Sequence, residues 1–335
     1  MITPLGKTPI AHTDVSARLE HPLTDGTNVL FCSTFQLAWN ELRNSFGGNV
    51  RLEGDPPLAL ALEKPGPSVK EVDAASCVVG GGVGSAFLAN IDRELRQKFG
   101  ARDDFMLPER LEPDAVLAYA YLSKDLEFET PFAVNRAAGI MFRNGARVAH
   151  FGVWAEGDDK VRAQRAKQVV VHHYGDTGEF VLELLTKAAD DRLIIARISR
   201  GATLLDTVDA ALTHANQKPG FFARLRAKTE LDASEVVRIP ILQVDLIRSY
   251  VELTGRKVVG QNAFIQEAKQ RIRMSLDEKG AVLRSAGVVL APRGGLPKRR
   301  FICDQPFLVM MIRKEQRHPY FALWLEDPEF FVPTP

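Results

Sequence analysis

Phe301 to Pro333 reads FICDQPFLVMMIRKEQRHPYFALWLEDPEFFVP, and this stretch decides the fold. The apolar run FLVMMI is followed by a charged turn at Arg313 to Arg317 and then by a second apolar run, FALWL. Two uninterrupted apolar runs joined by a short charged turn are typical of a hairpin whose strands are buried on both faces. The pattern therefore predicts a buried C-terminal hairpin.

Upstream of this hairpin, Arg271 to Leu276 (RIRMSL) alternates between polar and apolar residues and then runs into DEKGA at Asp277 to Ala281. Alternation predicts a strand with one buried face, and a glycine after charged residues predicts a turn. Gly280 precedes Phe301 by 301 − 280 = 21 residues. A strand, a turn and a connection of this length therefore lead into the C-terminal segment.

These two segments together resemble the serpin family. The C-terminal run resembles the family's C-terminal signature, and the strand before it resembles the entry to the reactive-loop hinge, which falls on Glu278, Lys279, Gly280 and Ala281. Weaker similarities are NVLF at 28–31, TPF at 130–132 and VVVHHYGD at 169–176. On this resemblance the chain is identified as a divergent member, bacterial-like or otherwise intracellular.

The resemblance implies an α+β serpin fold in one domain over residues 1–335. A central mixed β-sheet, two smaller sheets and surrounding helices are expected, with an exposed reactive-centre loop at about residues 281–300. Strands and helices that mix without regular βαβ alternation also favour α+β. Because little chain lies between Gly100 and Ala115, the helix that crosses the main sheet is expected to be missing.

The reactive loop implies a protease inhibitor. Counting from Gly280 by the family's spacing puts the scissile bond at Arg293–Gly294, which suits a trypsin-like protease or an Arg-specific cysteine protease of caspase or clostripain type. After cleavage, the loop would enter the main sheet as a strand and trap the protease. An inward Arg284 would bury an unpaired charge, so the odd positions must face inward. They are Leu283, Ser285, Gly287, Val289 and Ala291.

Two features keep a second function open. The segment from Gly280 to Phe301 is shorter than inhibitory serpins carry, and the positions of the family's polar gate here read Cys32, Phe35, Tyr119 and Gln270. Alternative cleavage positions are Lys298, Arg299 and Arg300. The alternative is a non-inhibitory protein of the same fold, which would act as a protease substrate, signalling bait or partner-binding module.

Other chemistries are weaker. CVVGGGVGS at 77–85 lacks the third glycine of the dinucleotide fingerprint and any Gly-Lys-Ser/Thr. His172 and His173 are adjacent on a predicted strand, so they point to opposite faces and cannot easily share a metal. No Gly-x-Ser-x-Gly is present. We expect no enzymatic activity, no cofactor and no metal.

Charge and cysteine usage limit the partners. The 43 Lys and Arg residues balance 42 Asp and Glu residues, so no net field favours nucleic acid or a membrane surface. The three cysteines show no metal-ligand spacing and are expected to be free and buried. We expect a monomer in the cytoplasm whose partner is the target protease.

Periodicity predicts several further elements. Helices are expected over 28–43 (after a strand-like start), 85–99 (capped by Ser85 and ended by Gly100) and 203–215, with little helix over 44–74. Strands are expected over 115–122, 145–154, 168–173, 179–185 and 193–198.

Overall fold

The computed structural model describes residues 2–4, 10–101, 105–124, 126–143, 145–155, 158–217, 230–280 and 299–335. Within these ranges the strands are β1 (Ile2–Pro4), β2 (Thr13–Ser16), β3 (Asn28–Cys32), β4 (Cys77–Val83), β5 (Ala115–Ser123), β6 (Ala133–Phe142), β7 (Ala146–Val153), β8 (Val169–Tyr174), β9 (Phe180–Leu184), β10 (Asp191–Arg197), β11 (Val236–Pro240), β12 (Leu242–Ser249), β13 (Phe264–Leu276), β14 (Arg300–Ile302), β15 (Phe307–Arg313) and β16 (Phe321–Leu325). The α-helices are α1 (Thr34–Ser45), α2 (Pro57–Leu62), α3 (Gly84–Phe99), α4 (Asp159–Lys167) and α5 (Leu204–Asn216).

The described strands form three sheets. Their orders are β1-β12-β13-β5-β4, β2-β3-β16-β15-β10-β9-β8 and β14-β11-β7-β6. In the five-stranded sheet, β13 and β5 are parallel neighbours, whereas β12 and β4 flank them in antiparallel pairing. The expected three-sheet α+β architecture with a mixed hinge-bearing sheet is confirmed.

The other two sheets were expected to be smaller than the hinge-bearing sheet. Among the described strands, the hinge-bearing sheet has five strands, and one of the other two sheets has seven. The five-stranded sheet ends at β4. Between α3 and β5, the described residues 100–101 and 105–114 contain neither a further strand nor an α-helix. The sheet therefore stays narrow, and the expected absence of a crossing helix holds for these residues.

The C-terminal hairpin forms the centre of the core. β15 and β16 pair antiparallel from Phe307↔Leu325 to Met311↔Phe321, and every residue from Phe307 to Ile312 and from Phe321 to Leu325 is buried. One set of their side chains joins the largest core cluster, which also includes Ile272, Met274 and Leu276 of β13. The other set packs against α5. The predicted buried hairpin is therefore confirmed.

Most predicted elements are present, with shifted ends. The helix expected over 28–43 begins only at Thr34, because β3 occupies the first five residues. The Ser85 cap is wrong: β4 passes directly into α3 through Gly84 at φ +75°, so Ser85 already lies inside the helix. Gly100 ends α3 at φ +78°, as predicted. Strand β6 and helix α4 were not predicted, since neither has a clear apolar period.

Candidate hinge of a reactive loop

The predicted hinge is a tight turn at the end of β13. The Asp277 N–H donates to the Gly280 carbonyl at 2.8 Å, and the Gly280 N–H donates back to the Asp277 carbonyl at 3.2 Å. Gly280 has φ +110°, and a Cβ added there would lie 1.9 Å from the Leu126 carbonyl oxygen. Only glycine fits this position without a shift of the backbone.

The same turn also pairs with the chain that continues from β5. Gly280 forms an antiparallel bridge with Glu127, and the Phe128 N–H donates to the Lys279 carbonyl at 2.9 Å. The Phe132 N–H donates to the Glu278 carbonyl at 2.7 Å. Gly280 therefore lies between the chain segments that continue from the parallel strands β13 and β5.

Two acidic side chains of the hinge are buried. Glu278 is 3% exposed; its Oε2 accepts from Arg136 at 2.9 Å, while its enclosed Oε1 has no hydrogen-bond partner. Burial raises the pKa of the Asp277 carboxyl, although a hydrogen bond from the Lys279 N–H partly offsets this effect. One half-exposed arginine and local backbone groups thus hold these buried acids in place.

A polar cluster under the parallel pair occupies the predicted gate. The Gln270 side chain on β13 donates to the Cys32 carbonyl at 3.0 Å and to Thr34 Oγ1 at 2.9 Å. It accepts from the Tyr250 hydroxyl at 2.7 Å, and the Tyr250 ring stacks on Phe35 at 3.7 Å. This gate cluster fastens β13 to the start of α1.

The structure brings three of the four predicted gate positions together, namely Cys32, Phe35 and Gln270. Tyr119 lies on the opposite face of β5, where its hydroxyl donates to the Phe105 carbonyl at 2.5 Å. Sequence reasoning missed Thr34 and Tyr250. No local pattern marks either residue, since their partners come from distant parts of the chain.

No protein-family model and no curated protein matches this chain. Among solved structures it is similar to Serpin48 from the insect Tenebrio molitor, at 13% identity and TM-score 0.49, over 91% of this chain and 92% of the other. It is also similar to human thyroxine-binding globulin complexed with thyroxine, at 10% identity and TM-score 0.49, over 90% of this chain and 92% of the other. A serpin from the trematode Schistosoma haematobium matches at 13% identity and TM-score 0.49, over 90% of this chain and 94% of the other.

The placement of three segments agrees with what the sequence resemblance implies. The hinge strand β13 lies in a mixed sheet beside a parallel neighbour, the 169–174 segment lies in another sheet, and the hairpin is buried between elements of the core. The three sheets and their pairing match the serpin architecture that the sequence resemblance implies.

The residues of the predicted reactive loop mostly lie outside the described residues. These are Ala281, Leu283, Ser285, Gly287, Val289, Ala291, Arg293, Gly294 and Lys298. Of the alternative cleavage positions, Arg299 places Nε and one terminal nitrogen at 2.7 and 2.9 Å from the two carboxylate oxygens of Glu235. Arg300 is exposed at the start of β14. The described chain therefore resumes at an arginine that is anchored to Glu235.

The glycine-rich segment 77–85 is used for packing. A Cβ on Gly81 would lie 2.4 Å from the Leu42 backbone nitrogen of α1, whereas one on Gly80 would lie 2.4 Å from the Ile91 side chain of α3. Two helices therefore approach opposite faces of β4 closely. This structural use accounts for the glycines that resembled a nucleotide loop.

His172 and His173 point to different partners, as predicted. His172 Nε2 lies 2.9 Å from Glu183, whereas the His173 ring stacks on His214 at 4.0 Å. Burial raises the pKa of Glu183, but hydrogen bonds from His172 and Arg192 outweigh it and lower the pKa to about 2. Within the described part of the chain, no cluster of three or more His, Cys, Asp or Glu side chains could hold a metal ion.

The three cysteines are free and buried, as predicted. Burial raises the pKa of the Cys77 thiol to about 11, and it also raises the pKa of Cys32 and Cys303. Protonated, enclosed thiols are poor nucleophiles. None of the helices in the described ranges has the length and apolar character needed to cross a bilayer.

Proposed function

We propose that this protein is a protease inhibitor of serpin type. It presents the segment after Gly280 to an Arg-specific serine or cysteine protease, is cut at Arg293–Gly294 and inserts the freed segment between β13 and β5. The proposal includes a monomer acting in the cytoplasm, a compartment in which free thiols like its three buried cysteines persist.

The register around Gly280 carries this proposal. Extending the Asp277↔Gly280 bridge along β13 would place Ser285 opposite Ile272, and extending the Glu127↔Gly280 bridge along β5 would place Ser285 opposite Leu122. Ile272 and Leu122 are themselves register partners in the parallel pair. The two bridges therefore define one consistent register for an inserted strand.

This register also agrees with the parity predicted from the loop sequence. Ile272 and Leu122 both point into the largest core cluster, so a residue opposite them would face that core. Ser285 and the other odd positions would thus face inward. Arg284 would lie opposite Arg273, which is exposed, and would keep its charge in solvent.

Insertion would be favourable because it adds a ladder. The direct pairing of β13 with β5 has nine register pairs and is parallel. An inserted strand would replace it with two antiparallel ladders, which are slightly more stable per residue. At roughly 0.5 to 1.5 kcal/mol for each added hydrogen bond, one extra ladder contributes on the order of 10 kcal/mol.

The gate cluster supports the alternative, non-inhibitory function, because its hydrogen bonds hold β13 in place and oppose the opening of the sheet. Gln270 must keep or exchange three buried hydrogen bonds while β13 and β5 separate. If this step is slower than hydrolysis of the acyl-enzyme, the protein is cleaved as a substrate without trapping the protease. Such a protein would act as a substrate, signalling bait or partner-binding module.

Incubation with trypsin and with an Arg-specific cysteine protease tests the proposal. We expect an SDS-resistant complex and a new N-terminus at Gly294, identified by N-terminal sequencing. The Arg293→Ala variant should lose both, while Arg299→Ala should retain them. Clean cleavage with full protease turnover would instead establish the substrate alternative, and cleavage only after Lys298, Arg299 or Arg300 would move the scissile bond.

A further inference from the structure

Two arginines lie side by side on the four-stranded sheet, and no acidic side chain in the described ranges pairs with either of them. Arg238 of β11 and Arg300 of β14 occupy strands that pair in parallel, with Val236↔Arg300 and Arg238↔Ile302 in register. The alternate residues Val237 and Phe301 point into the core, so both arginines share the outer face. They are therefore diagonal neighbours on that face.

The Arg238 guanidinium is held in an unusual setting. It is half-buried, and its enclosed Nε has no hydrogen-bond partner. Burial lowers the pKa of Arg238, and the charge of Arg300 lowers it further. No carboxylate within the described ranges pairs with either arginine. The nearby Glu235, next to β11, accepts hydrogen bonds from Arg299 with both of its carboxylate oxygens. Two neighbouring cations without a counter-ion repel each other.

The surface beside Arg238 is shaped by a glycine. Gly152 of β7 lies directly opposite Arg238, and a Cβ there would lie 2.1 Å from the Val237 carbonyl oxygen. His150 of β7 and Trp154, the residue after β7, flank Gly152; their rings approach each other to 5.1 Å between centroids, and both are buried. Two buried aromatic rings therefore lie next to the two cations.

We propose that Arg238 and Arg300 form a binding site for a tetrahedral oxyanion, a phosphate or sulfate group. Guanidinium groups match the geometry of such anions and bind them through paired N–H donors. An anion between the two side chains would neutralise their repulsion and accept hydrogen bonds from guanidinium N–H groups that no described carboxylate pairs with. This site is independent of whether the protein inhibits a protease.

Calorimetric titration with inorganic phosphate and sulfate, at an ionic strength held constant with chloride, tests this site in the full-length protein. We expect a dissociation constant on the order of 1 mM. Arg238→Gln and Arg300→Gln should each raise it at least tenfold. Arg317→Gln, which changes an exposed arginine in the β15–β16 turn, should leave it unchanged. Because Arg300 is exposed, its variant keeps the test valid even if Arg238→Gln folds poorly.

A second readout comes from His150, which lies diagonally across from Arg238. Burial, and after it the charge of Arg238, together lower the pKa of His150 to about 4. Saturating phosphate should raise this pKa, as followed by NMR, and the rise should vanish in Arg300→Gln. Binding of phenyl phosphate as well as inorganic phosphate would identify a group on a larger ligand, whereas binding of inorganic phosphate alone would identify the free ion. No binding, or binding that survives both arginine substitutions, would overturn the site.

Discussion

A carboxylate placed at Ser285 should block insertion of the loop, whereas one placed at the neighbouring Arg284 should not. In the register set by Gly280, Ser285 would oppose Ile272 and Leu122, which are 0% and 1% exposed. A buried carboxylate without a counter-ion costs several kcal/mol, about 4 kcal/mol here. This cost removes a large part of the order of 10 kcal/mol that insertion contributes.

The assay compares melting temperatures before and after cleavage by trypsin. In the parent protein, cleavage should raise the melting temperature. In Ser285→Glu the rise should be smaller by roughly 6 °C, because an unfolding entropy of about 2.1 cal/mol/K per residue over 335 residues gives about 1.4 °C for each kcal/mol. With Ser285→Glu, the protease should cleave the protein and be released instead of forming the SDS-resistant complex. Arg284→Glu, opposite the exposed Arg273, is the matched control and should behave like the parent.

Equal behaviour of the two variants would refute this reasoning. If both substitutions reduced the rise, parity would not govern insertion, and if neither did, the loop would not enter the sheet in this register. Both variants should melt at the parent temperature before cleavage. A difference at that stage would mean that the substitutions act on the uncleaved fold.

Three further predictions concern stability. Gly280→Ala should destabilise the protein by about 3 kcal/mol, measured by urea unfolding, because its Cβ meets the Leu126 carbonyl at positive φ; an unchanged midpoint would contradict the hinge geometry. Gly81→Ala should lower the free energy of unfolding by at least about 2 kcal/mol, because its Cβ would displace α1 at Leu42. Unchanged stability together with weakened nucleotide binding would instead support the phosphate-loop interpretation of this segment. The Glu183 carboxylate, whose pKa is lowered to about 2, should contribute about 3 kcal/mol above pH 4.5 and lose it as the pH falls toward 2. Glu183→Gln should therefore flatten the acid side of the stability curve, and parallel curves would rule this out.

Local patterns were sufficient for the hinge and the hairpin. Alternation over Arg271 to Leu276 predicts the strand, and the requirement for positive φ selects glycine at position 280. The two apolar runs around Arg313 to Arg317 predict the buried hairpin for the same reason, since burial on both faces removes polar residues from a strand. In each case the physical cause acts within a few residues along the chain.

The gate cluster and the arginine pair depended on the tertiary structure. Gln270 and Thr34 are 236 residues apart, and Arg238 and Arg300 come together only because β11 and β14 pair. Whether a polar side chain is satisfied or orphaned depends on every group packed around it, and no period in the sequence records those groups. The linear sequence therefore located the turn that follows β13, where the proposed reactive loop would begin. Only the folded chain decided which strands it would have to separate and what holds them together.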